Sequence, residues 1–138
     1  MHNERAKRGA PMDAPPRRRI PGDTCSVTPC GEPHLSGGYC KRHYNIRKVH
    51  RVDPQEWQDR FEAQGRACKV CRTTDPGGKW WHTDHDHACC PDYKQSCGEC
   101  FRGVLCGRCN AALGYARDDV EILRGLAAYL TEWQRSRT

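Results

Sequence analysis

His82-Thr83-Asp84-His85-Asp86-His87, followed by Arg102-Gly103-Val104-Leu105-Cys106-Gly107-Arg108-Cys109-Asn110, is the part of this 138-residue chain whose reading decides the fold. The two stretches place carboxylates, imidazoles and an amide beside a thiolate pair. Carboxylate, amide and water oxygens suit a hard cation such as Mg²⁺. Thiolates suit Zn²⁺. Two metals with different work are therefore implied, one that holds the fold and one that does chemistry.

Working outward, residues 80–86 and 101–106 read as two strands, and two cysteine pairs bracket them. Cys68-x-x-Cys71 and Cys106-x-x-Cys109 are zinc-knuckle spacings and together make a four-thiolate site. A structural zinc of this kind contributes on the order of 10 kcal/mol to folding, and closing the loop from 71 to 106 clamps the strands together. Upstream, Cys25, Cys30, Cys40 and His43 form a second tetrahedral set, with Gly37 and Gly38 placed for a tight turn. His34 competes as fourth ligand there, but Cys40-x-x-His43 has the better spacing. Between the strands lie Cys89, Cys90, Cys97 and Cys100. Cys97-x-x-Cys100 is a third knuckle with Cys90 a natural partner; either Cys89 or a histidine completes a candidate third zinc site.

Hydrophobic residues make up 36% of the chain, a figure that includes its 11 cysteines, so the apolar core is thin. Small domains with thin cores need staples, and here the spacings select zinc over disulfides. A small, zinc-stapled α+β fold is expected. Residues 53–66 read as a helix: Asp53 caps, Pro54 takes the first position, and Trp57, Phe61 and Gln64 share a face. Residues 110–116 form a short helix. Residues 118–135 form an amphipathic one, with Asp118 and Glu121 as its cap and Val120, Leu123, Leu126, Ala127, Leu130 and Trp133 packed against the zinc unit. Three segments follow: a disordered basic tail over 1–24, a Cys₃His unit over 25–50, and the main domain over 51–138. No apolar run opens the chain and none is long enough to span a bilayer, so neither a signal peptide nor membrane insertion is expected. A reducing cytoplasm is the expected setting.

The formal net charge is +6, which favours a polyanionic partner. Arg17, Arg18 and Arg19 in the tail, with Lys41, Arg42, Arg47 and Lys48 around the first cysteine unit, flank a metal knot and are expected to grip DNA while the later unit acts on it.

Asp84-His85-Asp86-His87, the two thiolate pairs, and Asn110 directly after the fourth cysteine occur in a fixed order. In this the chain resembles the recombination endonuclease VII branch of the HNH nucleases, from about Cys68 to Leu113 and more weakly through the last helix. The resemblance implies a ββα-metal core that cuts DNA by water attack, leaving a 5′-phosphate and a 3′-hydroxyl. By position, Asp84 and Asn110 would bind a catalytic Mg²⁺ or Mn²⁺, and His85 would be the general base. His87 would shape the site or touch phosphate, and Cys68, Cys71, Cys106 and Cys109 would hold structural zinc. Chemistry agrees: an imidazole titrating near neutrality can take a proton from water, and Arg102 or Arg108 could hold phosphate by a forked contact. Neighbours on a regular strand face opposite ways, so the strand carrying Asp84 and His85 should bend or end there.

The chain departs from the family pattern at Leu113, near a further acidic position, and in lacking the long helices that build the family enzyme's dimer. A homodimer or a phage protein partner is thus left open, as is resolution of branched DNA. Similar compositions occur in phage-encoded HNH proteins. The rival reading is a non-catalytic zinc-finger module that binds nucleic acid or protein, with His82, His85 and His87 as further zinc ligands.

Overall fold

Asp53 starts the helix around which the rest is built. Its carboxylate accepts from the Gln55 amide at 3.2 Å, Pro54 supplies a preset φ, and α2 runs over Pro54–Ala63 until Gly65 turns the chain at φ +75°. In this computed structural model, which describes residues 24–91 and 96–137, α2 buries Trp57, Gln58 and Phe61. The tail with Arg17, Arg18 and Arg19 lies outside the described residues.

Three side chains of α2 and its end join it to the sheet. The Trp57 indole donates to Thr83 Oγ1 at 2.9 Å. Arg60 donates to the Phe101 and Arg102 carbonyls at 3.0 and 2.9 Å. The Gln64 amide pairs with both backbone groups of Val104, at 3.0 and 3.1 Å, as a third strand would.

The sheet has two antiparallel strands, β1 (His82–His85) and β2 (Phe101–Leu105). His82 faces Leu105, Thr83 faces Val104, and Asp84 faces Gly103; then His85 faces Phe101, leaving Arg102 as the extra residue of a bulge. This is the bend that the Asp84-His85 pair requires.

Before α2, α1 (Lys41–Asn45) continues into one π-helical turn, Ile46–His50. Ile46 joins Val52, Trp57, Phe61, Phe101 and Val104 in the main core, so the first cysteine unit packs onto the same centre as the sheet. A second cluster gathers Cys68, Leu105 and Cys106, with Leu113 and Trp81 against it.

Helix α3 (Gly107–Tyr115) begins three residues before the expected start because the Cys106 sulfur caps it, accepting from the Cys109 amide. Arg117 and Asp118 then take left-handed φ values of 54° and 55°. Asp119, not Asp118, caps α4 (Val120–Ser136) through the Glu121 and Ile122 amides. The expectation that α4 packs its apolar stripe on the zinc unit is corrected: no residue of α4 is buried, and Trp133 stays 59% exposed. The left-handed pair redirects the chain, so the stripe meets no core. Among the described residues no helix is long and apolar enough to cross a membrane.

Candidate active site and metal centres

All 11 cysteines fall into three groups, each bringing four donor atoms within 4.8 Å of one another: Cys25, Cys30, Cys40 and His43; Cys68, Cys71, Cys106 and Cys109; and Cys89, Cys90, Cys97 and Cys100. A tetrahedron with zinc–sulfur arms of about 2.3 Å has edges of about 3.8 Å. The observed separations are 3.9 Å for Cys30–Cys40, 3.7 Å for Cys71–Cys106, and 3.8 Å for both Cys89–Cys97 and Cys97–Cys100. These match the edges of such a site and are far too long for a sulfur–sulfur bond. Each group could hold zinc.

In the first group the ligand atom of His43 is Nδ1, 3.3 Å from the Cys25 sulfur and 3.2 Å from that of Cys40. Its Nε2 meets Gln58 Oε1 at 3.1 Å, which orients the ring from behind. His34 is not a ligand; its Nε2 accepts from the Gly38 amide at 2.7 Å. In the second group, burial opposes ionisation of Cys68, yet backbone N–H donors around it prevail and bring it to about 6. Burial, then the neighbouring sulfurs, push Cys109 up to about 12. Four sulfurs gathered this closely could all be thiolates around a cation such as zinc.

The bulge at Arg102 turns Asp84 and His85 toward one cleft of about 390 Å³, whose lining also includes His50, His82, His87 and Asn110. Asp84 is 6% exposed and takes a forked contact from Arg102, Nε at 2.7 Å and Nη2 at 3.0 Å. Arg102 also reaches Asp118 at 3.3 Å, and Asp118 meets His87 Nδ1 at 2.8 Å. Burial raises the Asp118 carboxyl, but His87 and Arg102 outweigh it and hold the group below its usual range. Asn110 Nδ2 lies 3.3 Å from His82 Nδ1. The His85 ring is buried and its centroid is 4.6 Å from that of His87. Its Nε2 lies 3.1 Å from the Cys90 carbonyl. A carbonyl only accepts, so Nε2 carries the hydrogen and Nδ1 is the basic nitrogen of the neutral ring.

The structure thus brings Asp84, His85, His87 and Asn110 into one cleft. The fork of Arg102 is turned to Asp84, and Arg108 is exposed on α3. Of the other cations, Arg42 lines the cleft and stacks over Trp57, Arg47 lies over Tyr39 and Lys48 over Tyr44, and Lys41 is exposed. None of His82, His85 and His87 belongs to a cysteine group among the described residues. Sequence reasoning missed His50, Asp118 and Gln58. His50 sits in the cleft, where burial and then the charges of His85 and His82 push it down to about 4.

A bulged hairpin followed by a helix, flanked by four gathered sulfurs and opening a carboxylate–imidazole–amide cleft, defines a small α+β protein whose cysteine clusters could bind zinc. The chain belongs to the recombination endonuclease VII family, whose family model matches residues 39–132. It is similar to the Gene 59 protein of Mycobacterium phage D29, 31% identical over 86 residues that make up 62% of this chain and 47% of that protein. The Gene 59 protein of Mycobacterium phage L5 is 30% identical over 86 residues, with the same coverage. The chain therefore spans about half the length of the curated relatives it matches. No solved structure matches it.

Proposed function

We propose that this chain is a metal-dependent DNA endonuclease of the HNH type, with β1, β2 and α3 as its ββα-metal core. One observation carries the reading: the bulge at Arg102 sets Asp84 and His85, sequence neighbours, into the same cleft as Asn110. The donor set fits a hard divalent ion, an anionic oxygen from Asp84 and a neutral carbonyl oxygen from Asn110. Mg²⁺ or Mn²⁺ bound there would supply charge stabilisation at the phosphate and the leaving oxygen.

The chain's own groups do the rest. His85, anchored through Nε2, offers Nδ1 to take the proton of the attacking water. His87, held by Asp118, sits beside that ring, where it would shape the site or touch phosphate. Arg102 pairs with Asp84 and compensates its charge in the buried site. Lys41, Arg42, Arg47, Lys48 and Arg108, with the arm at Arg17, Arg18 and Arg19, supply phosphate contacts. The Cys68-Cys71-Cys106-Cys109 and Cys25-Cys30-Cys40-His43 groups hold structural zinc. The setting is the cytoplasm of a bacterial host, in keeping with the phage relatives. The family's description as a recombination endonuclease favours a second reading of the substrate, branched DNA.

The test is nicking of supercoiled plasmid with added Mg²⁺ or Mn²⁺, alongside linear, nicked, single-stranded and four-way-junction DNA at matched salt. His85→Ala and Asn110→Ala should keep fold and zinc and lose cleavage by a factor of at least about 10². Cutting by His85→Ala at the wild-type rate would sink the assignment. DNA binding without any cleavage by the wild type would favour a zinc-finger binding module.

A further inference from the structure

The third cysteine group has no part in the reading above, yet it touches the cleft more directly than the other two. The Cys90 carbonyl is the described hydrogen-bond partner of His85 Nε2, at 3.1 Å. Cys90 is also one of the four donors whose sulfurs gather with those of Cys89, Cys97 and Cys100. So a single residue offers its sulfur to the group and its carbonyl to the imidazole.

The group is seated on both sides of that contact. On the strand side, the Asp86 amide donates to the Cys100 carbonyl at 3.0 Å, and the Asp86 carbonyl accepts from Cys89 and Cys90 at 3.1 and 3.0 Å. The exit of β1 is thereby stitched to the group one residue after His85. On the other side, Ser96 Oγ donates to the His50 carbonyl at 2.7 Å. Gly98, at φ +81°, lies so close to the Arg51 carbonyl that any Cβ there would overlap it. The group is wedged between the strand end and the turn that carries His50 into the cleft.

What the group contributes to the core is small. Cys89 is exposed, the other three cysteines are half-buried, and none joins an apolar cluster. Its sulfur separations of 3.8 to 3.9 Å match the edges of a zinc tetrathiolate. The bond from the Cys90 amide to the Asp86 carbonyl places Cys90 beside His85. Four bonds to one ion would fix its carbonyl more tightly than four thiols held only by one another.

We propose that Cys89, Cys90, Cys97 and Cys100 bind a zinc ion that positions His85: the ion locks the Cys90 carbonyl, and the carbonyl holds the imidazole with its hydrogen on Nε2 and its lone pair on Nδ1. Cys90 is a positioning residue acting through His85. The inference rests on His85 being the base only for its effect on rate; its effect on the ring stands separately. No side-chain substitution deletes a backbone carbonyl, so the lock is opened by removing the ion.

The experiment compares the full-length wild type with Cys97→Ser/Cys100→Ser, which removes two ligands, and with Cys100→His, which keeps a tetrahedral Cys₃His set. Zinc per chain, the imidazole ¹⁵N spectrum of histidine-labelled protein, and kcat and KM on plasmid are measured for each. The expected wild type carries three zincs and shows His85 as the Nε2–H tautomer. The double variant should carry two, keep its fold, and lose the fixed tautomer. It should fall about 10- to 100-fold in kcat with KM nearly unchanged, the range typical of outer-shell partners. Cys100→His should restore zinc, tautomer and rate together. Two zincs in the wild type overturn the proposal, as does a double variant that keeps the fixed tautomer. Unfolding of the double variant overturns it too, because the ion would then be a staple of the whole fold. If the tautomer behaves as stated while His85→Ala still cuts DNA, the positioning stands and the assignment of His85 as base fails.

Discussion

Asp84 places the sharpest electrostatic demand on the chain: a carboxylate 6% exposed, compensated by Arg102, which is 36% exposed. Removing one partner of a buried pair costs about 3–5 kcal/mol, so Arg102→Ala should cost about 2–3 kcal/mol, the discount reflecting the exposed end of the arginine. The same arginine competes with any cation for the Asp84 oxygens. Mg²⁺ should therefore raise Tm more in Arg102→Ala than in the wild type, and equal shifts would show that the two do not compete. His50 gives a pH signature. Its folded value of about 4 lies below the ordinary 6.5, so the unfolded chain binds the extra proton. Its stabilising effect is complete above pH 6.5 and is lost as pH falls toward 4, about 2–3 kcal/mol in all. Subtracting the stability curve of His50→Gln from that of the wild type cancels effects of zinc loss common to both; a flat difference between pH 6.5 and 4 would refute the burial argument. The groupings around Cys68 and Cys25 were legible because ligand spacing is local chemistry, whereas the spacing of Cys90, Cys97 and Cys100 left the fourth member open between Cys89 and a histidine. The need for a bend at Asp84-His85 was legible too, since alternation on a strand is geometry. His50, Gln58 and Asp118 were not legible, because each comes from another segment and carries no motif.

At the level of elements, legibility followed the presence of a cap and the number of partners. Helix α2 was readable from Asp53, Pro54 and Gly65 because each acts on its own neighbours. The start of α3 was not, since a sulfur cap at Cys106 does not look like a cap in sequence. Helix α4 shows the deeper gap: a 3.6-residue period says that one face is apolar, not what covers it. Among the described residues nothing covers the face, and Leu126 and Leu130 are each 56% exposed. Hydrogen exchange on a single chain should therefore show α4 amides opening early and α2 amides last. Leu126→Ala should change stability by less than about 0.5 kcal/mol, whereas Trp57→Ala, in a side chain 1% exposed, should cost about 3–5 kcal/mol. Comparable losses from the two substitutions would mean that α4 is buried in solution.

For the molecule as a whole, six apolar residues form the main core among the described residues, a small core for a domain of this size. The segments around that core are consequently interdependent. Ile46 belongs to the core and Arg42, Asn45 and His50 to the cleft lining, although all four precede α2. A triple substitution and a truncation should then behave differently. Replacing Arg17, Arg18 and Arg19 by alanine leaves all three cysteine groups and the cleft residues intact, so fold, zinc and cleavage at low salt should persist. If those arginines grip phosphate, the slope of log K against log salt on duplex DNA should flatten by about 0.9 for each phosphate no longer neutralised, up to about 2.7. Deleting residues 1–50 removes the Cys₃His group, Ile46 and one wall of the cleft together. Losing a buried isoleucine alone costs about 2–5 kcal/mol, and a zinc held by the group would add more, so the truncated chain should lose its cooperative thermal transition. Binding anisotropy across a salt series and a melting scan separate the cases. An unchanged slope in the triple variant means the arm does not touch DNA. A truncated chain that still melts cooperatively means the first cysteine unit is an appendage and not a wall of the site.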